Sequence, residues 1–571
     1  MIMLSADHAT VYYGRRETHM KNYLRDYIPG AALSFAGCFM LALYAPLELL
    51  FNNTREFRFG FRILFPQLLK LFGIGLPLCL AVFALCYVLC RRLYDIVLCV
   101  GIAAYLGAYV QGMFLSGHLP PLDGTTIQWD QYTGQNILSI TVWLAIFLGI
   151  GLAAFFLRRK GIYRIVTAVS AFLTAVLLVT VIASGIINHG FSDPAKYALT
   201  KNNEFTMSSD QNLVVFVVDA TDSRTFSEML AAEDPQFADV LEDFTYYPDT
   251  VGAYPFTKLA IPYILHGQWY ENQEDFFKFT DRAVSESPLL TALREKGYQS
   301  GIYEEDLYWI GSESLKDLDN IEPFRYQLSS STQLIKEELK LVWFKYAPWP
   351  LKRCVLVDKD RFNHLLLLPD GLVPFNDDNS DFYQTLQSSD VTVIPEKCFR
   401  FIHIEGAHVP FRYDKDVNLI ENGTYEQNIE CSMTVVAAYL QKLRDAGVYD
   451  NSAIVLMADH GYGHKRARAL IGRLNPLLAV KGVGEKHPMG ISEAPISYED
   501  LQEMYRRLLN GAPGTEVFDA REGDTRTRRT IMYDFKEEDQ MAEFVQTGHA
   551  FDIETMIPTG RIYCREKDQL P

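Results

Sequence analysis

Apolar and polar positions are divided unevenly along this chain of 571 residues. Before residue 190, five stretches carry almost no charge: Pro29–Phe51, Leu71–Cys90, Leu93–Leu115, Ile137–Leu157 and Ile165–Ile187. Each approaches the roughly 20 residues that a helix needs to cross a hydrocarbon core of about 30 Å. The pattern predicts a five-helix transmembrane domain over residues 28–188, preceded by a cytoplasmic N-terminus at 1–27. Beyond a polar linker at 189–211 the rhythm changes. "NLVVFVV" at 212–218 and "FRFIHI" at 399–404 are short continuous apolar runs, which suit buried strands. "VVAAYLQKLRDAGVYDNSAIVLMADHG" at 435–461 reads as an amphipathic helix, a glycine stop and a strand. Strands alternating with helices predict an α/β domain with a mostly parallel central sheet, placed at 212–515. The tail, 516–571, contains "TRRTIMYDF" and "GRIYCRE" and reads as a C-terminal subdomain of short strands.

Basic residues orient the spans. Arg15, Arg16, Lys21 and Arg25 precede the first; Arg91 and Arg92 separate the second and third; Arg158, Arg159, Lys160 and Arg164 separate the fourth and fifth. These segments are expected in the cytoplasm, whereas Ser116–Asn136 has no Lys or Arg and belongs outside. Arg55, Arg58 and Arg62 dissent, lying on the expected outer side. Five crossings would leave everything after Ile187 extracytoplasmic, in a multi-pass protein of the plasma (inner) membrane. Charge divides at the same boundary: residues 1–190 hold 14 Lys and Arg against 8 Asp and Glu, and the remainder holds 39 against 62. So acidic an outer part argues against nucleic-acid binding, which draws on basic patches. The nine cysteines show no metal-type spacing. "KLVWFKYAPWPL" at 340–351 is aromatic and cationic, and fits either a membrane surface or a loop on the globular core.

Three strands end on residues with chemistry: Asp219, the Glu405-Gly406-Ala407-His408 stretch, and Asp459-His460. In parallel α/β sheets ligands gather outside the carboxyl ends of strands. Carboxylate and imidazole are ligands for a divalent cation, so Asp219, Asp459 and His460 form a candidate metal site. A nucleophile is offered by "YYPDTVGAYPFTKLAIPYILHG" at 246–267, where a turn leads into Thr257 and an apolar helical stretch. Thr at a helix start is an ordinary N-cap, yet the same position sets its hydroxyl beside amides that favour a phosphate. His403 reads as a core histidine, while His464 and His487 have no recognisable ligand spacing.

Together these motifs resemble the membrane sulfatase-like enzymes of the alkaline phosphatase superfamily, with the nearest likeness to lipoteichoic acid synthases and lipid A phosphoethanolamine transferases. "VVFVVDATDS" is similar to the first metal-binding strand, although those transferases usually have Glu where Asp219 stands. Thr257 matches the nucleophilic threonine, "HIEGAHVPF" the His-x-x-Gly-x-His-x-Pro stretch, and "MADHG" the last metal pair. The resemblance implies that Asp219, Thr257, Asp459 and His460 hold one divalent ion, Mn²⁺ or Zn²⁺ with Mg²⁺ as a third candidate. It also implies catalytic roles for Thr257 and His408. The implied activity moves a phosphoglycerol or related phospho-alcohol from a membrane phospholipid to a cell-surface glycan or glycolipid, with a hydrolase and a silent lipid-binding sensor as rivals. Sulfatases proper carry Cys- or Ser-x-Pro-x-Arg; here the stretch is Thr257-Lys258-Leu259-Ala260-Ile261, which argues against a formylglycine enzyme.

Overall fold

A computed structural model describes residues 25–54, 57–117, 119, 127, 129–192, 196–232, 239–305, 315–357, 360–463, 469–533 and 540–564. His464 and most basic residues of the N-terminus therefore lie outside the described residues. The chain forms two compact units, Met1–Ala195 with Arg325–Asp370, and Lys196–Phe324 with Gly371–Pro571.

In the first unit, five helices are long and apolar enough to cross a membrane: α1 (Arg25–Asn52), α2 (Phe61–Leu89), α3 (Arg91–Phe114), α4 (Trp129–Phe156) and α5 (Arg158–Ile187). Each of the five expected spans coincides with one of these helices. Helix α1 is the central one, 78% buried over its most apolar window against 6% for α2 and for α4. The outer helices turn Ile74, Leu85, Leu144 and Phe155 outward, as helices solvated by lipid would. Near its middle α1 relaxes into a π-helical turn, Met40–Tyr44.

The second unit is built on a seven-stranded sheet. In chain order its strands are β1 (Asn212–Val218), β2 (Thr245–Tyr246), β3 (Gln299–Tyr303), β4 (Cys398–Ile404), β5 (Ser452–Met457), β6 (Leu478–Lys481) and β7 (Gly490–Ile491). Their spatial order is β7-β2-β6-β5-β1-β4-β3. Strands β3, β4, β1 and β5 run parallel, and β6 joins antiparallel to β5. Every residue of β1, β4 and β5 is buried, because helices cover both faces of such a sheet; this is why these strands read as unbroken apolar runs. One face packs on α6 (Thr257–His266) and its neighbours, and the other on α8 (Tyr425–Asp445). The tail forms a three-stranded antiparallel sheet of β8 (Arg528–Tyr533), β9 (Gln540–Gln546) and β10 (Met556–Cys564).

Two boundaries differ from the sequence reading. The expected linker is structured from Lys196 onward: Lys196–Leu199 pairs antiparallel with Ile321–Phe324, and Thr206–Ser208 pairs with Thr392–Ile394. Backbone pairing supplies what a polar composition conceals. Residues 325–370, expected inside the catalytic domain, belong to the first unit. There α7 (Ser331–Tyr346) buries Leu334, Leu341, Val342 and Tyr346 in the apolar core of the spans. "KLVWFKYAPWPL" is therefore not a loop on the globular core; it is the end of α7 and the short helix Trp349–Lys352.

Candidate metal centre and active site

The centre assembles where β1 and β5 end. Asp219 follows the last residue of β1, while Asp459 and His460 lie just beyond β5. Adjacent parallel strands in register carry both carboxylates to the same edge. The ligand atoms of Asp219, Asp459 and His460 all lie within 4.8 Å of one another, and all three residues are buried. From His460 Nε2 the separations are 3.4 Å to Asp459 Oδ2 and 3.8 Å to Asp219 Oδ1. Thr257 Oγ1 is 3.3 Å from the same nitrogen.

These spacings fit one divalent cation. Donors about 2.1 Å from a common tetrahedral centre lie about 3.4 Å apart. The donor atoms are also unspent: Asp219 Oδ1 and Asp459 Oδ2 are buried without a hydrogen-bond partner, a costly state for carboxylate oxygens that a cation would relieve. His460 Nδ1 is 2.8 Å from the Gly461 carbonyl. Donation there leaves the Nε2 lone pair facing the carboxylates, the tautomer that a metal ligand requires. The other Asp459 oxygen accepts from the Ala220 amide at 3.2 Å and the His460 amide at 2.8 Å.

Without a cation the two carboxylates divide their charge. Burial, then the neighbouring Asp459 charge, pushes Asp219 well above the carboxylate range. Burial opposes ionisation of Asp459 as well, but His460, His403, the Thr257 hydroxyl and the Ala220 amide together hold it down to about 2. Burial lowers His460 to about 4, so its imidazole is neutral and able to ligate.

Thr257 opens α6, but it is not the N-cap. Phe256 takes that place, with no side-chain capping bond. The hydroxyl is thus not used on the helix and turns to His460.

His408 is half-buried, with Nδ1 2.7 Å from the Val409 carbonyl, and it stands near enough to His460 to oppose that ring's protonation. The turn before it depends on Gly406, whose φ is +61°. A Cβ there would lie 2.3 Å from the Asp219 amide nitrogen, so only glycine lets the β4 turn pass this close to the ligand. His403, expected in the core, is buried with Nδ1 2.5 Å from Glu304 Oε2 and Nε2 3.9 Å from Asp219 Oδ2. Burial disfavours its charge, yet Glu304, Asp219 and Asp459 outweigh that and raise it to about 10. It is a core histidine whose ring faces the Asp219 carboxylate without bonding to it. His487 lies away from the site, paired to Glu485 at 3.1 Å.

Arg473 escaped the sequence reading. Its Nη2 is 2.9 Å from His460 Nε2, and its guanidinium lies 4.6 Å from the centre of the Phe256 ring. Its one signal is position, at the start of "RLNP" following the Asp-His-Gly loop. Tyr425, also missed, braces the β1 turn by donating to the Ala220 carbonyl at 2.6 Å.

Comparison with known proteins agrees with this architecture. Residues 211–501, just over half of the chain, match the sulfatase family. The chain belongs to the sulfatase family. Among solved structures, an alkaline phosphatase superfamily protein of Vibrio parahaemolyticus is 12% identical, covering 65% of this chain and 87% of its own, with a TM-score of 0.33. A phosphonate monoester hydrolase of Silicibacter pomeroyi is 13% identical, with 63% and 90% covered and a TM-score of 0.32. The search of curated proteins finds no match.

Proposed function

We propose that this sulfatase-family enzyme is a membrane-anchored, metal-dependent phosphotransferase. It moves a phosphoglycerol or related phospho-alcohol group from a membrane phospholipid to a cell-surface glycan or glycolipid through a threonine-linked intermediate. The observation that carries this reading is the Thr257 hydroxyl. It is free of capping duty, lies 3.3 Å from His460 Nε2, and belongs to a nest of donors suited to one divalent ion.

A bound divalent ion would lower the hydroxyl pKa and offset the charge that develops on the phosphoryl oxygens. The residues would do the rest. Thr257 Oγ1 attacks the phosphodiester phosphorus, and its proton passes to the buried carboxylate pair Asp219 and Asp459. The bond from phosphorus to the diacylglycerol oxygen breaks. His408, carrying a proton at Nε2, delivers it to that leaving oxygen. In the second half the acceptor hydroxyl attacks the same phosphorus, gives up its proton to His408, and displaces Thr257, whose oxygen recovers its proton from the carboxylate pair. The Glu304–His403 pair sets a charge beside Asp219 throughout.

The basic segments support a plasma-membrane topology with this site outside the cytoplasm. Acid quench after incubation with phosphatidylglycerol vesicles, followed by peptide mass spectrometry, tests the mechanism. A phosphoglycerol adduct on Thr257 is expected, with no adduct and no diacylglycerol release from Thr257→Ala. Full diacylglycerol release by that variant would overturn the threonine intermediate and favour direct hydrolysis by water.

A further inference from the structure

At the basic ends of the spans, α1 and α5 border a recess of about 470 Å³ between residues 25–29 and 160–171. Its rim carries three exposed cations, Arg25, Lys160 and Arg164. Among the described residues, none of the three has a hydrogen bond or an ion pair. Other groups at this end are spent. Asp26, the acidic residue on the wall, is held by Arg91, and Arg159 is bound to Asp95 at 2.6 Å. Tyr163 donates to Asp95 Oδ1 at 2.6 Å, and Thr167 to the Tyr163 carbonyl at 2.9 Å.

Basic residues at one end of a bundle of spans are ordinary, because topology asks for them. Arg91, Arg92, Arg158 and Arg159 meet that demand without lining the recess. Three further cations gathered around one space, with no free carboxylate between them, need a different reason. Local energetics oppose the arrangement. Lys160 and Arg164 stand four residues apart on α5, a like-charge pair that weakens a helix. Arg25 and Lys160 lie in the first turns of their helices, where the dipole disfavours positive charge. The fold holds these charges together against their repulsion, and an anion seated among them removes that penalty.

We infer that this recess binds the phosphate headgroup of an anionic membrane phospholipid. Depth selects a lipid over a soluble anion. Helices α1 and α5 have 28 and 30 residues, about 42 and about 45 Å at about 1.5 Å per residue. Both exceed a hydrocarbon core of about 30 Å, so their first turns stand in the headgroup layer. Further along the same helices the wall turns apolar, with Ile28, Pro29, Ala168 and Ala171. Phe172 follows, 67% exposed on the lipid-facing side. A phosphate among the three cations would therefore hand its acyl chains directly to the bilayer, and basic pockets between spans suit anionic headgroups in this way. The chain's own residues 1–24 are a poorer occupant: three basic and two acidic side chains bring no net negative charge. The site is independent of the transferase reading, since it uses no residue of the metal centre.

The full chain, delipidated in detergent and titrated with phosphatidylglycerol, should retain the lipid in native mass spectrometry and hold phosphatidylcholine about tenfold more weakly. Lys160→Gln combined with Arg164→Gln should weaken phosphatidylglycerol retention about tenfold or more. Arg92→Gln combined with Arg158→Gln removes the same charge outside the recess and should leave retention unchanged. Helix content and bound metal should match wild type in both. Equal loss from the two double variants would show a diffuse charge effect and overturn the inference. Phosphatidylcholine held as tightly as phosphatidylglycerol would overturn it, as would displacement of the lipid by inorganic phosphate at equal concentration. Retention that appears only after removal of residues 1–20 would name the chain's own start as the occupant and overturn it as well. If the recess variant does not accumulate, wild-type retention that fails to fall between about 50 and about 500 mM salt overturns it.

Discussion

An aspartate that closes an apolar run has no packing reason to be there, and Asp219 and Asp459 are two such residues. Their carboxylates are buried, each with an unpartnered oxygen, around one cation-sized gap. Asp459→Asn should lose most bound metal, measured by elemental analysis of the purified protein, with little loss of fold. Gly406→Ala acts through the same ligand set from the backbone side. Its Cβ would strike the Asp219 amide, and its φ of +61° costs a non-glycine residue about 1–2 kcal/mol. We expect a lower melting temperature together with weaker metal binding. Arg473 and the Glu304–His403 pair were not legible, because their meaning comes from loops and strands brought together only by folding. His266 gives a residue-scale pH effect. Burial, then the Arg282 charge, lowers it to about 3, and its Nε2 has no partner. Its folded pKa lies below the unfolded value, so the unfolded chain takes the proton first. The penalty is absent above about pH 6.5 and grows by about 1.4 kcal/mol per unit as pH falls from there toward about 3. The difference in unfolding free energy between wild type and His266→Gln, followed from pH 7 to 4, should show this slope.

At the scale of elements, periodicity was informative wherever burial was complete or lipid replaced water. The five spans and strands β1, β4 and β5 were visible as runs; β2 and β7, with two residues each, were not. The C-terminal sheet was foreseen as strands, but its attachment was not. That attachment runs through Arg528, 1% exposed, which donates to Asp249 Oδ1 and to the Asp249 carbonyl, each at 2.7 Å. The same carboxylate oxygen accepts from the Ala550 amide at 2.7 Å. Removing one partner of a buried pair leaves the other charge uncompensated, so Arg528→Met should cost about 3–5 kcal/mol in denaturant unfolding of the second unit. Helix α8 offers a milder test. Thr424 accepts from the Gln427 amide while the Gln427 side chain answers the Thr424 amide, and Thr424→Ala should cost about 1 kcal/mol.

For the whole molecule, the hidden feature was the interruption of the second unit by residues 325–370. An amphipathic helix such as α7 reads alike whether its apolar side meets a sheet or a bundle of spans, so no local pattern reveals its destination. Residues 196–571 alone should therefore be poorly soluble, since they keep an apolar hairpin without its unit. Gln327–Leu328 pairs antiparallel with Leu366–Leu367, and Leu328 faces Leu366. Replacing 329–365 by Asn-Gly would close that ladder with a two-residue turn. The shortened 196–571 should be monomeric by size-exclusion chromatography and should still bind one divalent ion.

The pairing of β1 also sets a timetable for synthesis. This run of seven buried residues reaches its two partners only after Ile404 and Met457 have been made. At about 5–20 residues per second the wait is on the order of ten seconds or more. For that interval the ribosome has delivered "NLVVFVV" with both hydrogen-bonding edges bare, which is the kind of segment that associates with copies of itself. A holding chaperone should therefore bind nascent chains that end between about Val218 and Ile404 and release those that extend past Met457, an order that ribosome profiling of chaperone-bound chains would display.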